Sequence, residues 1–174
     1  RIVMAGTCAE YDLEEGICIE NITACRPNTP YGVCKNSLQE ILKSYSQEAK
    51  LSSAWGRIFF LYGPNEQTSR LISSVIISIL RKEKVRCTHG NQIRDYMYVE
   101  DVASAFVSLL DSNVEGAVNI ASGDSISIKE IVQYIADLLN GRSFVEFGVV
   151  PIVRDEPLRI VGNKMRLINE VKWV

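Results

Sequence analysis

The chain has 174 residues, of which 47% are hydrophobic and 23% are charged, and its formal net charge is −2. This length fits one compact domain or part of a larger one, and the apolar content can form a buried core. The slightly negative charge gives no electrostatic reason to expect nucleic acid or a membrane surface as partner. No apolar run reaches the roughly 20 residues that a membrane-spanning helix needs.

The cysteine and histidine content restricts the chemistry further. Five cysteines, with no C-x-x-C pair among them, fit neither a disulfide framework nor a zinc site. We therefore expect reduced thiols in a cytoplasmic protein. The single histidine, His89, rules out a multi-histidine metal site, and we expect no metal. His89 lies in the polar stretch "CTHGNQ", which favours a surface position.

The first 48 residues predict one strand, one loop and one helix. The opening "RIVMAGT" predicts a buried strand over residues 2–6, already under way at the first residue. Without an initiator methionine or a signal pattern, we expect a fragment of a longer protein. Residues 8–29 look like a loop. Thr29 can cap a helix and Pro30 suits its first position, so a helix is predicted from there to about Glu48.

Strands and helices continue to alternate along the rest of the chain. The predicted elements are a strand over 52–64, a helix over 70–83, a short strand over 84–90, a helix over 100–111, a strand over 116–122, a helix over 128–139 and a strand over 143–148. Ser127 and Glu130 form the pattern of a capping box before the last helix. The order predicts an α/β fold with a partly parallel, doubly wound sheet whose earlier strands are absent.

A tyrosine and a lysine share one stripe of the first predicted helix with apolar residues. The spacing aligns Tyr31, Lys35, Leu38, Leu42 and Tyr45. The last three suit a packed face, whereas lysine is rarely buried without a partner. We therefore expect the first turn to enter a cleft, where an ammonium about 4 Å from a phenolate would stabilise it by on the order of 4 kcal/mol. On spacing alone, Lys35 could equally reach solvent while Tyr31 packs.

Six segments, in order, resemble the extended short-chain dehydrogenases/reductases, specifically the nucleotide-sugar epimerase/dehydratase group. They cover almost the whole chain: "VMAGTCAEYD", "PNTPYGVCK", "GRIFFLYGP", "GNQIRDYMYVEDVASA", "VNIASGDSISIKEI" and "KMRLINEVKW". The resemblance implies part of a doubly wound Rossmann-type sheet over residues 1–64. It also implies a smaller α/β substrate-binding portion over residues 65–174, interleaved with the sheet.

The resemblance implies catalytic roles for three residues. Thr7 would hydrogen-bond the reacting substrate oxygen, and Tyr31 would be the acid/base. Lys35 would bind the nicotinamide ribose and stabilise the tyrosinate. Tyr31 and Lys35 would thus contact NAD or NADP, which carries the hydride.

The resemblance also assigns residues to the substrate. Thr7, Arg94 and Arg154 would bind a nucleotide-sugar, with the two arginines at its diphosphate. An ion pair between Arg94 and Asp95 or Asp101 is the alternative for the first arginine. Arg57 is expected to position strand and loop. Family members often dimerise through the Tyr/Lys helix, so a homodimer is a further expectation.

The sequence departs from the family pattern at three places. The chain contains no G-x-x-G-x-x-G loop, so we expect it to lack most of the dinucleotide-binding half. Cys8 and Ala9 stand where 4,6-dehydratases carry Asp-Glu, and Glu10 comes one position too late to replace that pair. Phe60 replaces a common asparagine near the substrate phosphates. The Cys8–Ala9 departure disfavours 4,6-dehydration, and the Phe60 departure leaves the identity of the sugar open. We expect an NAD(P)-dependent epimerase or ketoreductase in the full-length protein, with the fragment alone inactive. The alternative is a non-catalytic binding or regulatory protein derived from the family.

Overall fold

The computed structural model describes residues 1–154 and 156–174. Within them the α-helices are α1 (Pro30–Glu48), α2 (Leu71–Leu80), α3 (Val99–Asp111), α4 (Ile128–Leu138) and α5 (Met165–Asn169). The strands are β1 (Ile2–Thr7), β2 (Ile17–Cys18), β3 (Ser53–Ile58), β4 (Phe60–Tyr62), β5 (Val85–Arg86), β6 (Ile93–Arg94), β7 (Tyr96–Tyr98), β8 (Gly116–Ile120), β9 (Ile126–Ser127), β10 (Val145–Glu146) and β11 (Arg159–Gly162). Short 3₁₀ turns occur at Cys8–Glu10, Leu13–Glu15 and Arg142–Phe144.

Three parallel strands form the central sheet in the order β1-β3-β8. In β3, Arg57 donates a 2.7 Å hydrogen bond to Gln39 of α1. A Cβ atom on the neighbouring Gly56 would lie 2.6 Å from the ring of Phe106 in α3. Because successive residues of a strand point to opposite faces, α1 and α3 cover opposite faces of the sheet. This is a doubly wound α/β arrangement, and it confirms the predicted fold class.

Among the described residues, apolar core clusters include two large ones and a smaller third around Tyr11, Cys18 and Phe59. One large cluster lies between the central sheet and α3, and its buried members are Ala54, Met97, Val102, Ala105, Leu109, Val118, Ile120, Leu167 and Val171. The other large cluster joins α2 to α4 through Val75, Ile79, Val85, Cys87, Ile131, Val132, Ile135 and Ala136. The central sheet with α3 and the α2–α4 layer therefore have separate buried clusters.

The apolar run predicted as one strand over 52–64 is two strands in different sheets. The Phe59 N–H donates to the Ile120 carbonyl at 3.3 Å, whereas the next N–H, that of Phe60, donates to the Asp95 carbonyl at 3.1 Å. The chain therefore changes partner between consecutive residues, from β8 to β7. The sequence does not reveal this change of strand partner, because both strands are partly buried and together form one unbroken apolar run.

Helix predictions were more accurate than strand predictions. α1 has the predicted bounds, α3 begins one residue early, and the Ser127–Glu130 capping box is present at the start of α4. α2 is shorter than the predicted 70–83. No sequence pattern predicted β2, β6, β7, β9, β11 and α5, all of which are two to five residues long. Elements this short have no periodic pattern and are held by their sheet or core partners.

The predicted packed face of α1 is largely exposed. Tyr31 is 59%, Leu38 37% and Tyr45 57% exposed, and of the predicted stripe only Leu42 is buried. The buried residues of this helix are Gly32, Leu42 and Ser46, whereas Val33, Leu38, Ile41 and Tyr45 are exposed. The prediction that Leu38 and Tyr45 pack into this chain's core was wrong.

The division of the chain at residue 64 remains a prediction. β8, which belongs to the second predicted portion, pairs with β3 in the central sheet, as the expected interleaving requires. Among the described residues, no helix has the length and apolar content to cross a membrane.

Candidate active site

Thr7 lies at the carboxyl end of β1, where the chain turns away from the sheet. Its hydroxyl accepts a 3.3 Å hydrogen bond from the Ala9 N–H, and its own N–H donates to Oε1 of Glu10 at 2.8 Å. The two bonds form a capping box around the turn Cys8–Glu10. Ligands of open α/β sheets bind at this end of the strands, so Thr7 is placed where substrate chemistry is expected.

The first turn of α1 is held close to the Thr7 turn. Thr29 caps the helix by accepting a 3.1 Å bond from the Gly32 N–H, and Pro30 occupies the first helical turn. A Cβ atom on Gly32 would lie 2.3 Å from the Ala9 carbonyl oxygen, so only glycine permits this approach. The approach brings Tyr31 to the same cleft as Thr7.

Lys35 ties the same helix to the central sheet. Its Nζ donates a 3.0 Å hydrogen bond to the Ala5 carbonyl oxygen in β1. An ammonium group has three N–H donors, so two remain for other partners. Lys35 lies one helical turn from Tyr31 and does not itself line the cleft described below.

A buried network of charged side chains is hydrogen-bonded to the Thr7 turn. Glu10 is fully buried, and its carboxylate accepts bonds from the Trp55 indole at 3.0 Å and from Arg57 Nε at 2.7 Å. Arg57 also lies over the Tyr11 ring, 4.4 Å from its centroid. Burial raises the pKa of the Tyr11 phenol, which stays protonated. The expectation that Arg57 positions strand and loop is confirmed.

Glu10 supports the Thr7 turn, a role that was not predicted from the sequence. Its carboxylate is bound to Arg57 inside the protein, and Glu10 is not among the described residues that line the cleft of Thr7 and Tyr31. The missed signal was local: Thr7 and Glu10 have the T-x-x-E spacing of a capping box. Within the predicted loop, the chain forms a 3₁₀ turn directly after Thr7.

Thr7 and Tyr31 share a cleft of about 810 Å³. The segment between β4 and α2, including Glu66 and Arg70, also lines this cleft. Phe60 and Tyr96, whose ring centroids are 5.5 Å apart, form part of its apolar surface. Phe60 thus places an aromatic ring where the family pattern has a polar side chain.

Arg94 is buried behind Phe60 and does not line the cleft among the described residues. Its ion-pair partner is Glu156, at 2.7 Å, and neither Asp95 nor Asp101 as the alternative expected. Its guanidinium also lies 5.5 Å from the Phe60 ring centroid. The neighbouring Asp95 cannot pair with it because its carboxylate accepts bonds from Ser122, Gly123 and Gly162.

Arg154 is exposed and lies on the segment that leads to Glu156. It is not among the described residues that line the cleft with Thr7 and Tyr31. Of the predicted site residues, Thr7 and Tyr31 therefore lie in one cleft, and Lys35 lies one helical turn from Tyr31 on α1. Arg94 lies against the Phe60 ring outside the lining of this cleft, and Arg154 lies at the surface.

The fold and the Thr-Tyr-Lys arrangement define a Rossmann-type α/β protein of the short-chain dehydrogenase kind. The profile of the NAD dependent epimerase/dehydratase family matches residues 1–121, and the chain belongs to that family. CDP-abequose synthase of Salmonella typhimurium is 28% identical over 145 residues, which are 79% of this chain and 48% of that protein. The chain spans less than half the length of this relative.

Solved structures similar to this chain have the same fold over nearly its whole length. UDP-N-acetylglucosamine 4-epimerase from Methanobrevibacter ruminantium superposes with a TM-score of 0.91 at 22% identity, over 99% of this chain and 56% of that one. This likeness shows the fold. MoeE5, solved in complex with UDP-glucose and NAD, has a TM-score of 0.86 at 27% identity, over 100% of this chain and 59% of its own.

Proposed function

We propose that the protein carrying this chain is an NAD(P)-dependent epimerase or ketoreductase of a nucleotide-activated sugar. The observation that carries the proposal is the shared cleft of Thr7 and Tyr31, with Lys35 one helical turn away on α1. Membership of the family and the likeness to MoeE5, which binds UDP-glucose and NAD, support the substrate and cofactor classes.

The site residues fit a nicotinamide cofactor. Tyr31 and Lys35 lie beside the carboxyl end of β1, and Lys35 keeps two N–H donors for ribose hydroxyls. When bound, NAD(P) supplies a hydride acceptor and donor for a sugar carbon.

The chain's own residues perform the proton chemistry. Thr7 orients the sugar oxygen by a hydrogen bond. Tyr31 takes the proton from that oxygen during oxidation and returns it during reduction. The Lys35 ammonium stabilises the tyrosinate between these steps. Arg94 and Arg154 bind the diphosphate. Because Arg94 is paired with Glu156, a phosphate must either bind the same guanidinium beside the Glu156 carboxylate or displace that carboxylate.

The neighbours of Thr7 argue against 4,6-dehydration. That elimination needs an acid and a base beside the sugar, and the adjacent positions are Cys8 and Ala9. Burial raises the pKa of the Cys8 thiol to about 12, so it remains protonated at neutral pH. Glu10 is engaged with Arg57 beneath the turn and is not available to the cleft.

The test is the Tyr31→Phe variant of the complete protein. General acid/base catalysis contributes roughly 10²- to 10⁴-fold, so turnover of UDP-glucose, CDP-glucose or dTDP-glucose derivatives should fall by at least that lower factor. Binding of NAD(P), measured by fluorescence quenching, should persist. Tyr134→Phe, on the exposed face of α4, is the matched control. Unchanged turnover in Tyr31→Phe would exclude the acid/base role.

We also propose a cytoplasmic homodimer that uses the exposed stripe of α1. Leu38, Ile41 and Tyr45 are 37%, 64% and 57% exposed and lie at helical spacing. Five free thiols support the cytoplasmic location. Sedimentation of Ile41→Glu should give a monomer where the parent gives a dimer, while Leu138→Glu on α4 should leave the mass unchanged. A parent that sediments as a monomer would contradict the proposal.

A further inference from the structure

A second pocket lies at the end of the central sheet away from Thr7. Its volume is about 500 Å³, and it is lined by one side of α1, the start of β3 and the start of β8. Ser53 and Gly116, the first residues of these two strands, belong to the lining, so we call it the amino-end pocket. Among the described residues, none lines both this pocket and the cleft of Thr7 and Tyr31. A cavity of this size accommodates a small molecule.

Ser46 of α1 has an unsatisfied hydrogen-bonding group at this pocket. The residue lines the pocket and is only 7% exposed. Its hydroxyl is buried and has no hydrogen-bond partner among the described residues. Most buried hydroxyls in folded proteins are paired, because an unpaired one is costly. A ligand oxygen that accepts a hydrogen bond from this hydroxyl would satisfy it.

Two ammonium groups make the α1 side of the pocket positive. Lys43 lies on α1, Lys50 follows the end of this helix, and both line the pocket. Neither ammonium group has an ion-pair or hydrogen-bond partner in the described part of the chain. Lysine binds phosphate as a point charge, and a phosphate monoester carries nearly two negative charges at neutral pH. Two lysines therefore match a phosphate better than the single charge of a carboxylate.

Two features of the pocket act against an anion and thereby determine its orientation. Glu115 lines the pocket beside β8, and α1 ends at the pocket with the negative end of its dipole. The dipole is partly covered, because the Leu51 N–H donates to the Ser46 carbonyl at 2.8 Å. The anionic group of a ligand therefore belongs beside the two lysines. The Glu115 carboxylate, on the other side, can accept hydrogen bonds from hydroxyl groups.

We propose that the amino-end pocket binds a phosphate monoester of a small molecule that carries hydroxyl groups. Lys43 and Lys50 bind the phosphate, and the Ser46 hydroxyl donates to one of the ligand's oxygens. Glu115 accepts hydrogen bonds from the ligand's hydroxyls, and Leu42 contacts its carbon skeleton. The proposal does not depend on the proposed function, because it uses no residue of the cleft.

The test is calorimetry on the complete protein with three probes: glucose 6-phosphate, glucose and inorganic phosphate. Glucose 6-phosphate alone offers both the dianion and the hydroxyl groups, so it should bind at least roughly 10-fold more tightly than the other two. Lys50→Gln removes a charge-assisted contact and should weaken its binding roughly 10- to 100-fold. Lys82→Gln is the matched control: Lys82 also follows a helix end with a positive φ, 58° against 51° for Lys50, and lines neither cavity.

Ser46→Ala separates a ligand contact from a structural role. The variant should bind glucose 6-phosphate roughly 3- to 10-fold more weakly. Without ligand its melting temperature should equal or exceed that of the parent, because the substitution removes an unpaired buried hydroxyl. Ser37→Ala, at an exposed position of the same helix, should change neither quantity. A lower melting temperature of unliganded Ser46→Ala would show that the hydroxyl is already paired, and would overturn the proposal.

Two further outcomes overturn the proposal. The first is the absence of saturable binding of glucose 6-phosphate at millimolar concentration. The second is binding that Lys50→Gln and Ser46→Ala leave unchanged, since the ligand would then occupy another site. Tyr31→Phe should lose turnover but keep this binding, so a failure of the acid/base assignment is distinguishable from a failure of the amino-end pocket.

Discussion

Glu10 and Arg57 form a 2.7 Å ion pair inside the protein, with side chains that are 0% and 5% exposed. Glu10 also binds the N–H of Thr7, and Arg57 donates to Gln39 of α1. One pair of charges therefore connects the turn after β1, the strand β3 and the helix that carries Tyr31. The relative placement of Thr7 and Tyr31 depends on it.

Arg57→Met should destabilise the protein strongly. It leaves the Glu10 carboxylate buried without its cation, which typically costs about 3–5 kcal/mol. Urea unfolding monitored by tryptophan fluorescence would measure the loss. Arg86→Met, on an exposed strand position, should change the free energy of unfolding by less than about 0.5 kcal/mol. A similar small change for both variants would show that the pair contributes little.

Gly32→Ala should disturb the site through packing alone. The new methyl group would meet the Ala9 carbonyl oxygen, so α1 must move away from the Thr7 turn. Overpacking of this kind costs about 1–3 kcal/mol, and turnover should fall because Tyr31 moves relative to Thr7. Thermal unfolding and kcat are the measurements. Ser37→Ala, exposed on the same helix, is the control, and equal behaviour of the two variants would contradict the close-approach argument.

Asp95→Asn should weaken the junction between the central sheet and the substrate-side strands. The carboxylate accepts four hydrogen bonds, from the Ser122 N–H and hydroxyl and from the N–H groups of Gly123 and Gly162. An amide replaces one acceptor by a donor, which leaves buried groups unpaired at a cost of about 3 kcal/mol. Chemical denaturation would measure this decrease in the free energy of unfolding. Asp111→Asn, exposed at the end of α3, should leave the free energy of unfolding nearly unchanged. An equally small change in Asp95→Asn would show that Asp95 does not hold this junction together.

Glu20 should make stability depend on pH. Burial raises its pKa above the usual 4.5, although the Asn119 N–H, 2.6 Å from its Oε1, acts in the opposite direction. The folded state thus holds this proton more tightly than the unfolded state. The stability it contributes is present below pH 4.5 and is lost as the pH rises through the folded-state pKa.

Glu20→Gln replaces the carboxylate by a neutral group of the same shape. We expect its melting temperature to exceed that of the parent at pH 7 and the difference to shrink toward pH 4. Glu14→Gln, at an exposed position, should show no such trend. A constant difference between Glu20→Gln and the parent across this range would contradict the shifted titration.

Thiol labelling should distinguish exposed from buried cysteines. Cys25 and Cys34 are exposed, whereas Cys8, Cys18 and Cys87 are buried. Burial raises the pKa of Cys8 and of Cys18 to about 12, so neither thiolate forms near neutral pH. Iodoacetamide at pH 8, followed by mass spectrometry, should modify at most the two exposed thiols until urea is added. Rapid modification of Cys8 in the native protein would show that the turn after Thr7 opens.

Local signals account for what sequence reasoning predicted well. α1 begins where Thr29 and Pro30 predict it, and α4 has the capping box of Ser127 and Glu130, because caps depend on groups within a few residues of one another. The same local logic could have identified the Thr7–Glu10 turn. By contrast, the two-residue strands at Ile93–Arg94 and Ile126–Ser127 are defined by pairing with each other and, for the first, with Arg159–Gly162, so no local pattern predicts them.

The sequence by itself determined the fold class, the helix that presents Tyr31 and Lys35, and the family to which the chain belongs. The tertiary structure decided which charges meet. Arg57 pairs with Glu10 across 47 positions and Arg94 with Glu156 across 62, and these partners depend on the path of the whole chain. It also decided that Leu38 and Tyr45 face outward and that Arg70 lines the cleft without a carboxylate partner among the described residues. Helical periodicity places side chains on a common face, but only the packing of that helix on its sheet determines which face is buried.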